Sequence, residues 1–70
     1  MEYIATIYTV GGYYYLGPDS DVSVLVFQAK EAIEDGTGEY LVEQVYVHPA
    51  NEDCNMPDCD QDPVWGYSRK

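Results

Sequence analysis

The chain has 70 residues, a length that allows one domain and leaves no room for a separate catalytic lobe. Thirteen acidic residues face three basic ones, for a net charge of −10 at pH 7, and Lys30 is the only basic side chain before Arg69. This charge argues against direct binding to nucleic acid, which needs a basic patch, and against an anionic membrane surface.

The first half of the chain predicts a β-hairpin. Residues 2–10 are rich in β-branched and aromatic types, which is typical of a strand, and both faces of that strand carry apolar groups. Such a strand is expected at the centre of a sheet. Residues 11–12, Gly-Gly, indicate a turn, residues 13–16 a short second strand, and residues 17–20 the end of that strand.

Residues 20–35 predict an amphipathic helix, because their apolar side chains recur at the i, i+3, i+4, i+7 spacing of one helix face. Asp19 or Ser20 is positioned to accept a hydrogen bond from the free N–H groups of the first turn. An alternative remains, in which residues 22–27 form a strand and the helix spans only residues 28–35.

Residues 39–48 predict a third strand. We expect Leu41, Val45 and Val47 on one of its faces, and the other face to carry Tyr40, Val42, Tyr46 and His48. Residues 50–70 are predicted to be an irregular acidic segment whose aromatic residues 65–67 pack back onto the body.

The simplest assembly of these elements is an α+β fold. We expect a small antiparallel sheet of three or more strands with one helix packed on one face, forming a single domain over residues 1–70. The other face would carry tyrosines and meet either solvent or a partner.

No pattern in the chain indicates an enzyme or a cofactor. His48 is the only histidine, so any nucleophile–base arrangement would depend on it, and a lone histidine at a strand end is more often a surface residue. The glycines match no phosphate-binding loop. We therefore expect no catalytic residues and no cofactor.

A calcium site of the EF-hand type is rejected on spacing. Asp58, Asp60 and Asp62 alternate as in the start of such a loop, but Pro63 stands where the sharp turn needs glycine. Arg69 stands where the bidentate glutamate belongs.

The two cysteines leave three states open. Cys54, Cys59 and His48 could hold zinc, although the cysteine spacing is unusual and a fourth ligand is missing. A disulfide would need an oxidising environment, and in a cytoplasm free thiols are expected. We expect that no metal is bound.

Three groups of acidic residues stand out, at the helix start, at the helix end and in the C-terminal segment, and two more acids lie on the third strand. The first two groups are Asp19 and Asp21, and Glu31, Glu34 and Asp35; the third comprises Glu52, Asp53, Asp58, Asp60 and Asp62. Acids at a helix C-terminus oppose the helix dipole and repel one another at i, i+3, i+4 spacing, so stability does not explain them.

Two interpretations of this charge are open. One is a solvated acidic surface, as in an organism with a salty cytoplasm. The other is a surface on which carboxylates stand where phosphates would stand, shaped for a basic groove. The predicted partner-binding residues are Asp19, Asp21, Glu31, Glu34, Asp35, Glu39, Glu43, Asp58, Asp60, Asp62, Tyr13, Tyr14 and Tyr46.

In length, charge and expected fold the chain resembles small phage-encoded inhibitors of host defence, which include anti-CRISPR and anti-restriction proteins. Some of these are mimics of nucleic acid. The resemblance spans the whole chain and rests on no specific motif, so it assigns no site residues. It implies a non-enzymatic inhibitor that occupies the nucleic-acid-binding surface of a host protein complex. The alternative is a small adaptor or structural subunit that binds a protein partner through its open sheet face.

No stretch near the N-terminus has the basic and apolar pattern of a signal peptide, and no stretch has the length of a membrane span. We therefore expect a cytoplasmic location, in the host if the chain is phage-encoded. The oligomeric state is left open.

Overall fold

The computed structural model describes residues 1–51 and 56–69. Its elements, in chain order, are β1 (Tyr3–Thr9), β2 (Gly12–Asp19), α1 (Val22–Asp35), a 3-10 turn (Gly38–Tyr40), β3 (Val42–Pro49) and β4 (Trp65–Ser68).

The four strands form one antiparallel sheet in the order β2-β1-β3-β4. Helix α1 packs across one face of this sheet and contacts β1, β2 and β3. The α+β prediction is therefore confirmed, with β1 at the centre as its apolar faces indicated. In the described part of the chain, no helix has both the length and the apolar character that a membrane crossing requires.

The core lies between α1 and the sheet. Alternate residues of the strands face the helix, and burial of each large apolar side chain stabilises the fold by about 1.5–3 kcal/mol. The fully buried residues of this layer are Ala5 and Ile7 of β1, Leu25 and Ala29 of α1, and Val42, Val45 and Val47 of β3.

Strand β2 is longer than the sequence predicted. The prediction ended it at residue 16, but it continues through Gly17 and a cis Pro18 to Asp19. The pairing with β1 shifts there, from Ala5↔Leu16 to Tyr3↔Asp19. A proline is tolerated because β2 is an edge strand, and Gly17 adopts φ 103°, a conformation that side chains disfavour.

Strand β3 corrects two predictions. Residues 38–40 form a 3-10 turn, so the strand starts at Val42 and not at residue 39. Val42 was placed on the face of Tyr46 and His48, yet it is buried in the core at 1 % exposure. The cause is an irregular register, because Tyr8 pairs with Gln44 whereas Thr9 pairs with Val42, which turns Val42 toward α1.

The C-terminal segment is not wholly irregular. Trp65–Ser68 is a fourth strand, in which Trp65 pairs with Val47 and Tyr67 pairs with Val45. Both aromatic side chains pack against the core, so residues 65–67 do return to the body, as part of the sheet.

The helix starts at Val22, two residues later than predicted, and its apolar first half is helical. Asp21 is the N-cap, in place of Asp19 or Ser20, and its carboxylate accepts hydrogen bonds from the Ser23 N–H at 3.0 Å and the Ser23 hydroxyl at 2.6 Å. Asp19 accepts instead from the Asp21 N–H at 2.9 Å. Residues 22–27 are helical, which excludes the alternative strand.

Candidate functional site

The sheet face opposite α1 carries four tyrosines, Tyr8, Tyr13, Tyr15 and Tyr46, which we call the tyrosine face. The pairing explains their proximity, since Tyr8 lies opposite Tyr13, and Thr6 lies between Tyr15 and Tyr46. The ring centroids are 6.0 Å apart for Tyr8–Tyr13, 5.6 Å for Tyr13–Tyr15 and 6.2 Å for Tyr8–Tyr46. These separations and tilted orientations are those that aromatic pairs prefer.

Three of these rings are open to solvent. Tyr13 is 62 % exposed and Tyr8 and Tyr15 are each 40 % exposed, whereas Tyr46 is half-buried. Partial removal of the Tyr15 hydroxyl from water raises its pKa, and the neighbouring Tyr13 hydroxyl raises it further. The face therefore presents aromatic rings together with polar hydroxyl groups, the combination enriched at protein interfaces.

One end of the tyrosine face is closed. Ile4 and Thr6 point away from α1, yet they are only 3 % and 5 % exposed. The described C-terminal residues return to this end, where the Asp58 N–H donates to the Pro49 carbonyl at 2.8 Å. Cys59 lies near enough to Tyr15 to add to the rise of its pKa. Residues 56–64 therefore bound the face on the side where β3 ends.

His48 lies at this closed end, beside Tyr46 at a ring distance of 6.3 Å. Its Nδ1 is buried without a hydrogen-bond partner among the described residues. The Cys59 thiol is free and exposed, and donates weakly to the Pro57 carbonyl at 3.9 Å. Cys54, the second cysteine of the suggested zinc site, lies outside the described residues.

Among residues 1–51 and 56–69, no group of three or more His, Cys, Asp or Glu side chains is arranged to hold a metal ion. Asp58 is engaged in its own turn, accepting from the Asp60 N–H at 3.2 Å and the Gln61 side-chain amide at 3.1 Å. Among the described loop acids, Asp58 therefore organises the local chain.

The acids on α1 stand at its two ends. Asp21 caps the N-terminus and Asp35 is the last residue, so a helix of 14 residues holds them about 20 Å apart. Glu31, Glu34 and Asp35 are all exposed, and the last turn contains no basic residue. The hydrogen bonds that Asp21 accepts from Ser23 lower its pKa, so this cap is a charged group.

Glu39 extends the group at the helix C-terminus. It lies in the 3-10 turn, and its carbonyl accepts from the Gly11 N–H at 3.0 Å, which holds the turn against the β1–β2 connection. Glu43 lies further on, at the start of β3, where its carbonyl accepts from the Arg69 N–H at 2.8 Å.

The three predicted groups do not merge into one acidic face. Asp19, Asp21 and the described loop acids lie toward the end where β2 and β3 finish, and Glu31, Glu34, Asp35 and Glu39 lie toward the opposite end. None of the paired strand positions on the tyrosine face is acidic. The described side chains form no ion pair, so these carboxylates are not neutralised within the described chain. Glu52 and Asp53 lie outside the described residues.

Two adjoining hollows open where β2, the 3-10 turn and the end of α1 meet. The larger, of about 520 Å³, lies between the β1–β2 turn and Glu39, and the smaller, of about 300 Å³, lies beside Ala32 and Asp35. Tyr14 and Tyr40 line both. Aromatic walls and carboxylates therefore occur together on the helix side of the sheet edge.

The predicted tyrosines separate onto two sides of the sheet. Tyr13 and Tyr46 belong to the tyrosine face, whereas Tyr14 pairs with Ile7 on the helix side and lines the hollows. Tyr8 and Tyr15 were absent from the predicted site. The alternation of side chains along a strand could have predicted that Tyr15 shares a face with Tyr13, and Tyr8 a face with Ile4 and Thr6. The pairing of Tyr8 with Tyr13 could not be predicted in this way, because it depends on the register between β1 and β2.

Comparisons of the chain with protein-family models, with curated proteins and with solved structures found no match. The physical character of its two surfaces, the tyrosine face and the acidic ends of α1, is what points to a function.

Proposed function

We propose that the chain is a non-enzymatic acidic inhibitor that binds a basic nucleic-acid-binding surface of a host protein complex and competes there with DNA or RNA. Anti-CRISPR and anti-restriction proteins are the functional class that fits this description. The contacts would come from the exposed carboxylates at the two ends of α1, with tyrosines as aromatic anchors.

The observation that supports this proposal most is the unneutralised charge. The chain carries a net charge of −10, and its described carboxylates form no ion pair with Lys30 or Arg69. Small soluble domains need a net charge of only about 2–8 for solubility. The excess negative charge destabilises the folded chain through repulsion among its carboxylates. In a complex with a basic partner, the same carboxylates would be attracted to positive charge and would stabilise the complex.

The spacing of the acids also fits an extended basic surface. The two ends of α1 are about 20 Å apart, a span over which duplex DNA presents roughly a dozen phosphate charges at one per ~1.7 Å. The chain is also elongated, with extents of 34 × 20 × 18 Å. A lysine- or arginine-lined groove that follows a duplex could therefore meet both acidic ends together.

The test is a competition experiment with purified nucleic-acid-binding complexes of bacterial defence systems, each bound to fluorescent target DNA. The chain should displace the DNA, and its inhibition constant should weaken by at least an order of magnitude between about 50 and 200 mM NaCl. The variant Glu31→Gln/Glu34→Gln/Asp35→Asn should lose potency. Inhibition that is independent of salt would contradict the proposal.

A second candidate function is favoured by the tyrosine face. Its rings contact one another, and no paired strand position there carries a carboxylate, so it suits a protein partner bound mainly through aromatic contacts. An adaptor of this kind would tolerate the triple acid-to-amide variant and lose binding on Tyr13→Ser/Tyr46→Ser. An inhibitor that mimics nucleic acid would show the stronger loss with the acid variant.

A further inference from the structure

Strand β2 is an open edge of the sheet. Among the described residues its only strand neighbour is β1, and no other part of the described chain forms a backbone hydrogen bond with it. In an antiparallel ladder, every second residue of an edge strand directs its N–H and C=O outward, which makes a template for another strand.

The first part of this edge, residues 12–16, lacks the usual protection against strand addition. Edge strands are commonly shortened, bulged or supplied with lysine or proline. Residues 12–16 of β2 contain no charged residue and no proline, and the irregular pairing and Pro18 come only beyond them. Every residue from Gly12 to Tyr15 is exposed. The free edge is therefore long enough to pair with an extended segment.

An added strand would present its side chains to two different surfaces. Those on one side would lie next to Tyr13 and Tyr15 of the tyrosine face. Those on the other side would lie next to Tyr14 and the smaller hollow, which Asp35 and Tyr40 also line. Alternate residues of the incoming segment would thus meet aromatic rings on one side, and a ring with a carboxylate on the other.

The chemistry of both surfaces selects arginine. A guanidinium stacks on tyrosine rings through its planar face and pairs with a carboxylate through its fork of N–H groups, which an ammonium cannot match. The net charge of −10 attracts a basic segment and opposes a second copy of this chain. Charge complementarity therefore favours a basic segment of a partner over a second copy of this chain as the strand that pairs with β2.

We propose that β2 accepts an extended, arginine-bearing segment of the partner as a fifth strand, with arginines on Tyr13 and Tyr15 and beside Tyr14 and Asp35. This inference rests on the proposed function, because it takes the partner to be basic, and it adds the mode of recognition. Binding driven by charge alone needs no backbone pairing, whereas this mode of recognition requires strand addition at β2.

The test uses three synthetic peptides of equal length and charge, titrated into the ¹⁵N-labelled chain at physiological salt. The first repeats Arg-Arg-Thr-Thr, which places arginines on both faces of a strand; the second repeats Arg-Arg-Pro-Pro, and the third repeats Lys-Lys-Thr-Thr. In such a repeat, whichever edge of the peptide faces β2 contains both residue types, so proline removes half of the N–H groups that strand pairing needs and keeps the charge. We expect the arginine–threonine peptide to bind about tenfold more tightly than the proline peptide, and to protect the outward amides of residues 12–16 from hydrogen exchange.

Matched variants localise the site. Tyr13→Ser/Tyr15→Ser should weaken the arginine–threonine peptide several-fold and bring it close to the lysine–threonine peptide. Phe27→Ser, which removes another exposed aromatic ring from the outer face of α1, should leave binding unchanged. Circular dichroism of both variants would show that they remain folded.

Three results would overturn strand addition. These are equal affinity of the arginine–threonine and proline peptides, chemical-shift changes confined to the acidic residues of α1, or a free chain that sediments as a dimer and already has the outward amides of residues 12–16 protected from exchange. If the two arginine peptides bind equally and both lose affinity with salt, strand addition fails while the charge-based function stands. If no basic peptide binds at any salt concentration, the proposed function fails together with it.

Discussion

The acids at the end of α1 provide the sharpest test of the charge argument. Glu34 and Asp35 are the last two residues of the helix, Glu31 lies one turn before them, and the last turn has no basic residue. Replacing them in Glu34→Gln/Asp35→Asn removes the like-charge pairs with Glu31, at about 0.2–0.5 kcal/mol each. It also removes two charges that oppose the helix dipole, at about 0.3–1 kcal/mol each.

The double variant should therefore be more stable than the natural chain by about 1–3 kcal/mol at low ionic strength. For a domain of this size that corresponds to a rise in Tm of at least about 4 °C. The measurement is thermal unfolding followed by circular dichroism at about 10 mM and about 0.5 M NaCl, because salt screens exposed charges.

The matched control is Asp60→Asn/Asp62→Asn, which removes the same number of charges from the C-terminal loop. Both of these side chains are exposed, and their carboxylates accept no hydrogen bond from the described part of the chain. The control relieves the general repulsion but has no helix dipole to relieve. The reasoning is refuted if the helix variant gains no more than the control at low salt, or if its advantage persists undiminished at high salt.

Three further predictions concern the fold that carries these surfaces. Asp21→Ala should reduce the loss of unfolding free energy that the chain shows as the pH is lowered. The pKa of Asp21 is lowered in the folded state, so its capping contribution is present above the ordinary pKa of 3.8 and is lost as the pH falls through the folded-state pKa. Urea unfolding at pH 7 and at about pH 2.5 measures this difference, and the same difference in the variant would show that the cap contributes nothing. Ile7→Val should lower the free energy of unfolding by about 0.5–1.5 kcal/mol, because Ile7 is fully buried. Phe27→Ser should change it by no more than about 0.5 kcal/mol, because Phe27 is 65 % exposed. Equal losses in the two variants, measured by chemical denaturation, would contradict the assigned core. Gly36→Ala should destabilise by about 1–3 kcal/mol because the added Cβ would overlap the Tyr40 carbonyl and approach the Ala32 carbonyl to 2.8 Å, and an unchanged chemical-denaturation midpoint would show that the turn yields freely.

Local pattern was sufficient for much of the fold. The β-branched and aromatic composition of residues 2–10 predicted the central strand, and the apolar spacing of residues 20–35 predicted the helix that covers the sheet. These signals are readable because one-sided burial imposes a period of 2 on a strand and of 3.6 on a helix.

The local sequence pattern did not predict the features of the fold that depend on how the strands pair. Val42 was assigned to the wrong face because an irregular register next to Thr9 changes the alternation, and no local residue marks that shift. Trp65–Ser68 is too short to be recognised as a strand alone, and it forms because β3 offers an edge on which its aromatic side chains reach the core. Pro18 predicted an end to β2, although at a sheet edge proline is compatible with a strand.

The candidate surfaces divide in the same way. Composition alone determined that the chain carries a large excess of negative charge and many tyrosines, because these quantities depend only on which residues are present. Only the tertiary structure decided that Tyr8, Tyr13, Tyr15 and Tyr46 meet on one face, that Tyr14 lies on the other, and that the acids stand at both ends of α1. Neighbours in a sheet come from strands distant in the chain, so their contacts are set by register and packing, which a sequence read residue by residue does not contain.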